Sequence, residues 1–202
     1  MQFAFTEEQE LLRREARSVL VGGGWALADV AELGFLERAV LYEEAGSVGR
    51  GAEFFDDKGP RAEQLASLSL EAVGIARKTL ELAVDYAKTR EQFGRPIGVY
   101  QAVSHSLADT YVETELARSL AYWAAWCVAE GDAQTELALA AAKAYCGDAA
   151  VAACERSIQV HGGIGFTWEH VLHRYYERAL WIQAHGGYAR THRAIVAAAL
   201  LD

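Results

Sequence analysis

Proline is nearly missing from these 202 residues, with Pro60 and Pro96 the only two. Proline breaks helix interiors, so its scarcity leaves long uninterrupted helices open to most of the chain. Cysteine is also scarce: Cys127, Cys146 and Cys154 are odd in number, lack CxxC spacing and sit among alanines. That pattern excludes a disulfide framework and a thiolate metal site, and it reads as buried, reduced thiols. Basic residues are outnumbered, 19 Lys and Arg against 28 Asp and Glu, for a formal net charge of −9. A general nucleic-acid binder shows a basic face, so none is expected here, although a local anion site remains open. No charge-free apolar run approaches the roughly 18 residues of a membrane span, so no membrane partner is expected. The opening MQFAFTEEQELLRREA turns acidic at once, without the basic stretch and apolar run of a secretory signal. The expected location is cytoplasmic.

What the chain has in quantity is Ala, Leu, Glu and Arg, all strong helix formers. With 52% hydrophobic residues it can bury a real core. Thr6 followed by Gln9 forms a capping-box pattern and predicts a helix through Leu20. Shorter helices are predicted over Ala26–Leu33 and Leu36–Gly46. GAEFFDDKGP, Gly51–Pro60, then reads as a connection between this head and a body. The body carries four segments with apolar residues at i, i+3, i+4 and i+7: Arg61–Thr89, Ser104–Glu130, Asp132–His161 and Glu169–Leu201. The predicted fold is all-α, an antiparallel four-helix bundle preceded by a reduced helical segment, with no β-domain. The expected division is residues 1–55 for the head, 56–60 for the linker and 61–202 for the bundle.

Three stretches are candidates for chemistry. Between the first two long segments, Arg90, Phe93, Gly94, Pro96, Ile97 and Gln101 spell R-x-x-F-G-x-P-I-x-x-x-Q. A guanidinium there can grip a phosphate bidentately, Phe93 offers an aromatic face, and Gln101 can bond an adenine or ribose edge. The same residues also suit a plain helix–turn–helix corner. Gln159–His170, QVHGGIGFTWEH, follows the third segment. Gly162 is the natural left-handed cap there, and Gly163 and Gly165 permit close backbone approach. The third stretch, QAHGGYARTHR, places Gly186–Gly187 inside a helical tail, where mid-helix glycine costs about 1 kcal/mol relative to alanine. A loop is expected at that spot. His170, His173, His185 and His192 lack a Cys or carboxylate constellation, so solvent-facing or interfacial histidines are expected and no metal site. The aromatics of AYWAAW, Ala121–Trp126, recur at helical spacing and are expected to fill the core or a subunit interface.

Taken together and in this order, R-x-x-F-G-x-P-I and Q-x-x-G-G-x-G resemble the acyl-CoA dehydrogenase family. The likeness spans Arg61–Asp202 and a reduced version of the family's N-terminal helices. It implies an FAD-dependent oxidoreductase of lipid metabolism, with FAD lying across a subunit boundary. It also implies that Arg90 and Phe93 meet the pyrophosphate and adenine side of a neighbour's cofactor, with Gln101, Gln159, Gly162 and Gly163 lining the same end. Two departures qualify this. The family's middle β-domain has no room between head and body. The family's catalytic Glu, aligned from Arg178 and Arg193, falls on Gly186; the alternative position used by a minority of members falls on Gln64. Glu63 is adjacent, but one residue turns a helical side chain by about 100°. His185 is the other conceivable base.

The resemblance therefore implies a subunit without its own catalytic base. It would pair in an α2β2 heterotetramer with a longer homologue that brings the β-domain and the Glu. The implied substrate is an acyl-CoA, possible bulky examples being steroid side-chain thioesters, and the implied electron acceptor is a protein. Two other readings stay open: a non-catalytic structural or regulatory helical protein, and a self-sufficient homo-oligomer using Glu63 or His185.

Overall fold

The computed structural model describes residues 5–201; residues 1–4 and 202, the outer ends of the predicted head and body, lie outside them. Helix α1, Glu7–Val21, opens on the expected capping box: the Thr6 hydroxyl accepts from the Gln9 amide and the Gln9 side chain accepts from the Thr6 amide, both at 3.2 Å. The helix expected over Ala26–Leu33 shrinks to a single 3₁₀ turn, Leu27–Val30, capped by Asp29 on the Ala26 amide at 2.8 Å. Gly22–Gly24 before it and Gly34 after it confine the segment, and only Val30 of the turn is buried. Helix α2, Phe35–Ser47, follows, and a second 3₁₀ turn, Gly51–Phe54, leads to the body.

The body consists of α3 (Arg61–Thr89), α4 (Gln101–Glu130), α5 (Thr135–His161), α6 (Leu172–Ala184) and α7 (Ala189–Leu201). Its fourth segment starts three residues later than predicted, because Gly162–Phe166 forms a 3₁₀ turn before the chain reverses. Between α3 and α4 lies a two-residue-per-strand hairpin, β1 (Glu91–Gln92) and β2 (Arg95–Pro96). No β-domain stands between head and body. Helix α5 is central, touching α3, α4, α6 and α7. The helical stretch Thr135–Phe166, α5 with the turn after it, is long and apolar enough to cross a membrane, but 72% of its most apolar 18 residues are buried among its neighbours. Its alanines, Ala138, Ala142 and Ala150 among them, lie in the core and allow close approach, and all three cysteines are buried thiols.

Head and body share one hydrophobic core. Where α2 crosses α3, glycines make the contact possible on both sides. A Cβ on Gly74 would stand 2.0 Å from the Glu43 carbonyl oxygen, and one on Gly46 would stand 2.3 Å from that of Glu71. A charged network locks the same crossing. Glu43 and Glu44 of α2 are fully buried. The Tyr122 hydroxyl donates to Glu43 Oε2 at 2.7 Å, and Arg13, Arg77 and Arg118 lie at 3.2–3.4 Å from the same carboxylate. Arg77 also donates to Glu44 at 2.7 Å. Burial alone would raise the Glu43 carboxyl, but Arg77, Arg118, Arg13 and the Tyr122 hydroxyl outweigh it and hold it below the usual range. Tyr122 of AYWAAW is thus a polar partner as well as a packing residue.

Candidate functional site

The two family-like motifs meet at one end of the bundle. Helix α3 ends at Arg90, where the chain turns into the hairpin with Glu91 opposite Pro96 and Gln92 opposite Arg95. The two turn residues are Phe93 and Gly94, with φ of 54° and 78°. Both left-handed conformations suit a type I′ hairpin. Glycine adopts that region freely, whereas for phenylalanine it costs roughly 1–2 kcal/mol. Phe93 is nevertheless 92% exposed, so no burial offsets the strain. Tyr100 supplies the restraint instead. Its hydroxyl donates to the Gln92 carbonyl at 3.0 Å and accepts from Arg95 Nε at 3.3 Å. The Arg95 guanidinium stacks 4.8 Å from the Tyr100 ring centre, and the Phe93 ring meets that ring edge-on at 6.3 Å.

The Gln159–His170 stretch lies beside this hairpin because α3 and α5 run their C-terminal ends to the same place. Tyr86 of α3 stacks on His161 of α5, ring centres 4.4 Å apart. His161 Nδ1 faces the Ser157 carbonyl at 2.8 Å, so that nitrogen carries the proton. His170 packs against His161 at 4.6 Å, and burial, then His161 and His173, pushes its imidazole below the usual value. Gly162 has φ 62° and ψ −137°, a correction to the expected left-handed cap, and the 3₁₀ turn after it packs back on the helix end, where a Cβ on the buried Gly165 would stand 2.8 Å from the Ile158 carbonyl oxygen. A Cβ on Gly162 or Gly163 would meet nothing within 4 Å, so the backbone there faces open space.

Arg90, Gln101 and Gln159 are all exposed, and among the described residues no side chain bonds the Arg90 guanidinium. An unengaged guanidinium, an aromatic face on a strained turn, two outward amides and an open glycine backbone suit an anionic dinucleotide approached from outside the chain. Next to them an open apolar depression of about 400 Å³ lies between α3 and the start of α4, lined by Val84, Ala87, Lys88, Pro96, Val99 and Leu107 among others.

The Gly186–Gly187 corner lies at the other end. Helix α3 has 29 residues and so is about 43 Å long, and Arg61 at its start donates to the Gly186 carbonyl at 3.0 Å. The two base positions implied by the resemblance are neighbours here, since a Cβ on Gly186 would stand 2.7 Å from Leu65 Cδ2, one residue from Gln64. Neither is a carboxylate. The Gln64 amide donates to the Gly59 carbonyl at 3.0 Å, and Glu63 pairs with Arg38 at 3.1 Å. His185 is stacked on Trp181, ring centres 4.3 Å apart, with Phe55 edge-on at 5.2 Å. It is packed between aromatics rather than held out on a polar loop. Arg178, about two turns before His185, is engaged, bidentate on Glu71 at 2.6 and 2.8 Å. Burial pushes the Glu71 carboxyl up while Arg178 opposes it.

The residues that organise this corner are Lys143 and His192, neither evident from motif spacing. Lys143 is 2% exposed and donates to the Gln183 and Gly187 carbonyls, both at 3.3 Å. His192, 3% exposed, faces the Gly186 carbonyl through Nε2 at 3.1 Å and has Nδ1 buried without a partner. The sequence signal was available for Lys143, a lone charge inside the apolar run ELALAAAKAYC. His173 Nδ1 bonds the His170 carbonyl at 2.7 Å, and His170 Nδ1 accepts from the Leu172 amide at 3.3 Å.

Comparison with known proteins agrees with this geometry. The model of the acyl-CoA dehydrogenase C-terminal domain matches residues 64–201. The chain is 47% identical over 143 residues to the acyl-CoA dehydrogenase FadE34 of Mycobacterium tuberculosis, covering 69% of this chain and 20% of that protein. It is 43% identical over 113 residues to the acyl-CoA dehydrogenase IpdE2 of the same organism, covering 55% and 33%. Among solved structures, butyryl-CoA dehydrogenase from Megasphaera elsdenii superposes with a TM-score of 0.67 at 32% identity, over 70% of this chain and 37% of that one. An FAD complex of PigA does so with 0.65 at 29% identity, over 69% and 36%. The chain thus spans a fifth to somewhat over a third of the length of these relatives. With its all-helical bundle, its hairpin and glycine turn at one end and no β-domain between head and body, this chain belongs to the acyl-CoA dehydrogenase family.

Proposed function

We propose that the chain is one subunit of an FAD-dependent acyl-CoA dehydrogenase built from unlike chains, as an α2β2 assembly. It contributes Arg90, Phe93, Gln101, Gln159, Gly162 and Gly163 to the pyrophosphate and adenine side of a cofactor whose ring and catalytic Glu belong to a longer homologue. One observation carries this reading: the outward-facing clamp and the carboxylate-free corner lie at opposite ends of a helix about 43 Å long. No single dinucleotide gripped at Arg90 reaches the Gly186 corner of the same chain, so each end serves a different partner.

When bound, FAD supplies the acceptor for the hydride from the acyl β-carbon, while a carboxylate takes the α-proton. This chain's residues orient the cofactor: Arg90 offers a charge-assisted bidentate contact, Phe93 an aromatic face, and the Gly162–Gly163 backbone close approach. We assign bulky acyl-CoA thioesters, steroid side chains among them, as the substrate class, because the missing β-domain leaves one pocket wall unbuilt. A partner protein is the electron acceptor, and the site of action is the cytoplasm.

The test compares flavin content of the chain purified alone and co-produced with the longer homologue. Alone it is expected to hold far less than one flavin per chain, since nothing covers the isoalloxazine; a stoichiometrically yellow homo-oligomer overturns the proposal. In the complex, His185→Ala and Glu63→Gln are each expected to keep turnover within about tenfold of the parent, less than roughly 1.4 kcal/mol in transition-state stabilisation. If either abolishes dehydrogenation while flavin stays bound, this chain carries its own base.

A further inference from the structure

Helix α7 is held to the bundle in an unusual way. Of its 13 residues only His192 is buried, and Leu200 and Leu201 stand 74% and 85% exposed. Little apolar surface fastens it. Polar contacts do the fastening, and most converge on the Gly186–Gly187 corner, where φ values of 76° and 112° favour glycine and would strain any other residue. Arg61 from α3 and His192 from α7 both donate to the Gly186 carbonyl, and Lys143 from α5 donates to those of Gln183 and Gly187. Among the described residues no carboxylate bonds Lys143. Asp148, the nearest acid, is taken by the Gln183 amide at 2.9 Å and Arg193 at 2.8 Å.

We propose that the Gly186–Gly187 corner is a proton-sensitive hinge, at which α7 swings off α5 when Lys143 is protonated and docks more firmly once Lys143 has released its proton to solvent. The docked corner buries an ammonium with two long carbonyl contacts as its compensation, whereas the open corner lets water solvate it. A buried charge without a counter-charge disfavours the state that buries it.

Burial accordingly pushes Lys143 down from 10.5 to about 8 in the closed state, with Cys146 and Asp148 opposing more weakly. Because the closed-state value is the lower one, closure releases a proton, and docking strengthens as pH rises from about 8 toward 10.5. Two titratable groups facing Lys143 lie outside that window: the buried Cys146 thiol is pushed up to about 12, and the His192 ring is held below its usual value by burial, the Gly186 contact opposing. Arg61 and Asp148 are the charged side chains nearby, the first on the Gly186 carbonyl and the second paired with Arg193.

The experiment is amide hydrogen exchange on the full chain, corrected for intrinsic rates, followed segment by segment. Linkage with these two values gives an opening equilibrium for residues 189–201 that falls about tenfold between about pH 7 and about pH 9. Amides in α3 and the middle of α5 serve as the internal reference and should not follow it. Lys143→Met, which keeps the length and removes the charge, should flatten the dependence and make opening rarer at neutral pH. An α7 opening equilibrium that ignores pH overturns the proposal, as does a Lys143→Met chain that retains the full dependence. The pH series on the parent chain decides the matter even where the variant folds poorly.

Discussion

Replacing Glu43 with alanine is expected to be the most destabilising of the single substitutions considered, at about 3–5 kcal/mol, the range for removing one partner of a buried ion pair. The mechanism is asymmetric. The wild-type network roughly balances the desolvation of its charges against their attraction, but without Glu43 only Arg13 and Arg77 keep a carboxylate, that of Glu44, and Arg118 loses the one it pairs with. The Tyr122 hydroxyl loses its acceptor at the same time. For a domain of this size the melting temperature should fall by roughly 6–20 °C. Glu63→Gln, which removes a partly exposed pair with Arg38, should cost no more than about 1 kcal/mol. The network also sets an acid limit. Glu43 is held below the usual carboxylate range, so its contribution is present above its unfolded value and disappears as pH falls through the folded one. Thermal melts of the two variants at neutral pH decide this; a Glu43→Ala chain melting within a degree or two of the parent would mean the cluster is solvated and weak.

Arg90→Ala is expected to lower flavin affinity of the assembled complex roughly ten- to a hundredfold, the equivalent of about 1.5–3 kcal/mol for one charge-assisted contact. Folding stability should hardly change, because the Arg90 side chain is exposed and bonds nothing among the described residues. That separation makes the experiment informative: flavin retention during dialysis at limiting FAD is read beside the melting temperature. Equal loss of both would make Arg90 a structural residue of the α3 corner. Unchanged retention would sink the clamp.

Helix content was legible wherever local chemistry and periodicity agreed, as in the Thr6–Gln9 cap and the four long segments of the body. It failed at Ala26–Leu33, where a helix-forming composition is confined between glycines and has too little apolar face to bury. Ends slipped where tertiary packing rather than composition chose them, as at Leu172. The turn between α3 and α4 was legible from spacing, since Gly94 and Pro96 stand between two periodic segments, but its reading as a cofactor clamp rested on the family resemblance. The strain at Phe93 and the Tyr100 brace were not legible, because backbone sign and hydroxyl partners depend on coordinates. The same holds for the Gly-Gly corner. Its loop follows from helix propensity, but the three basic side chains that fasten it come from α3, α5 and α7, as much as 131 positions apart in Arg61 and His192. A lone buried lysine in an alanine run is visible in the sequence; what it holds is not.

The short connection between head and body has a bearing on engineering and descent. Phe54 is buried and Phe55 packs on Trp181 and His185, whereas Asp56–Lys58 are exposed and folded only by a local turn, the Lys58 amide donating to Asp56 at 3.0 Å. The flanks are thus anchored independently of the tip. Lengthening a surface loop costs little, about 0.6 kcal/mol for each doubling, and an exposed tip between fixed stems is where whole-domain insertions succeed. Asp57 therefore marks a seam at which a folded module with neighbouring termini can be spliced in or excised without disturbing the α2–α3 crossing, and chains of very different length can share this helical frame.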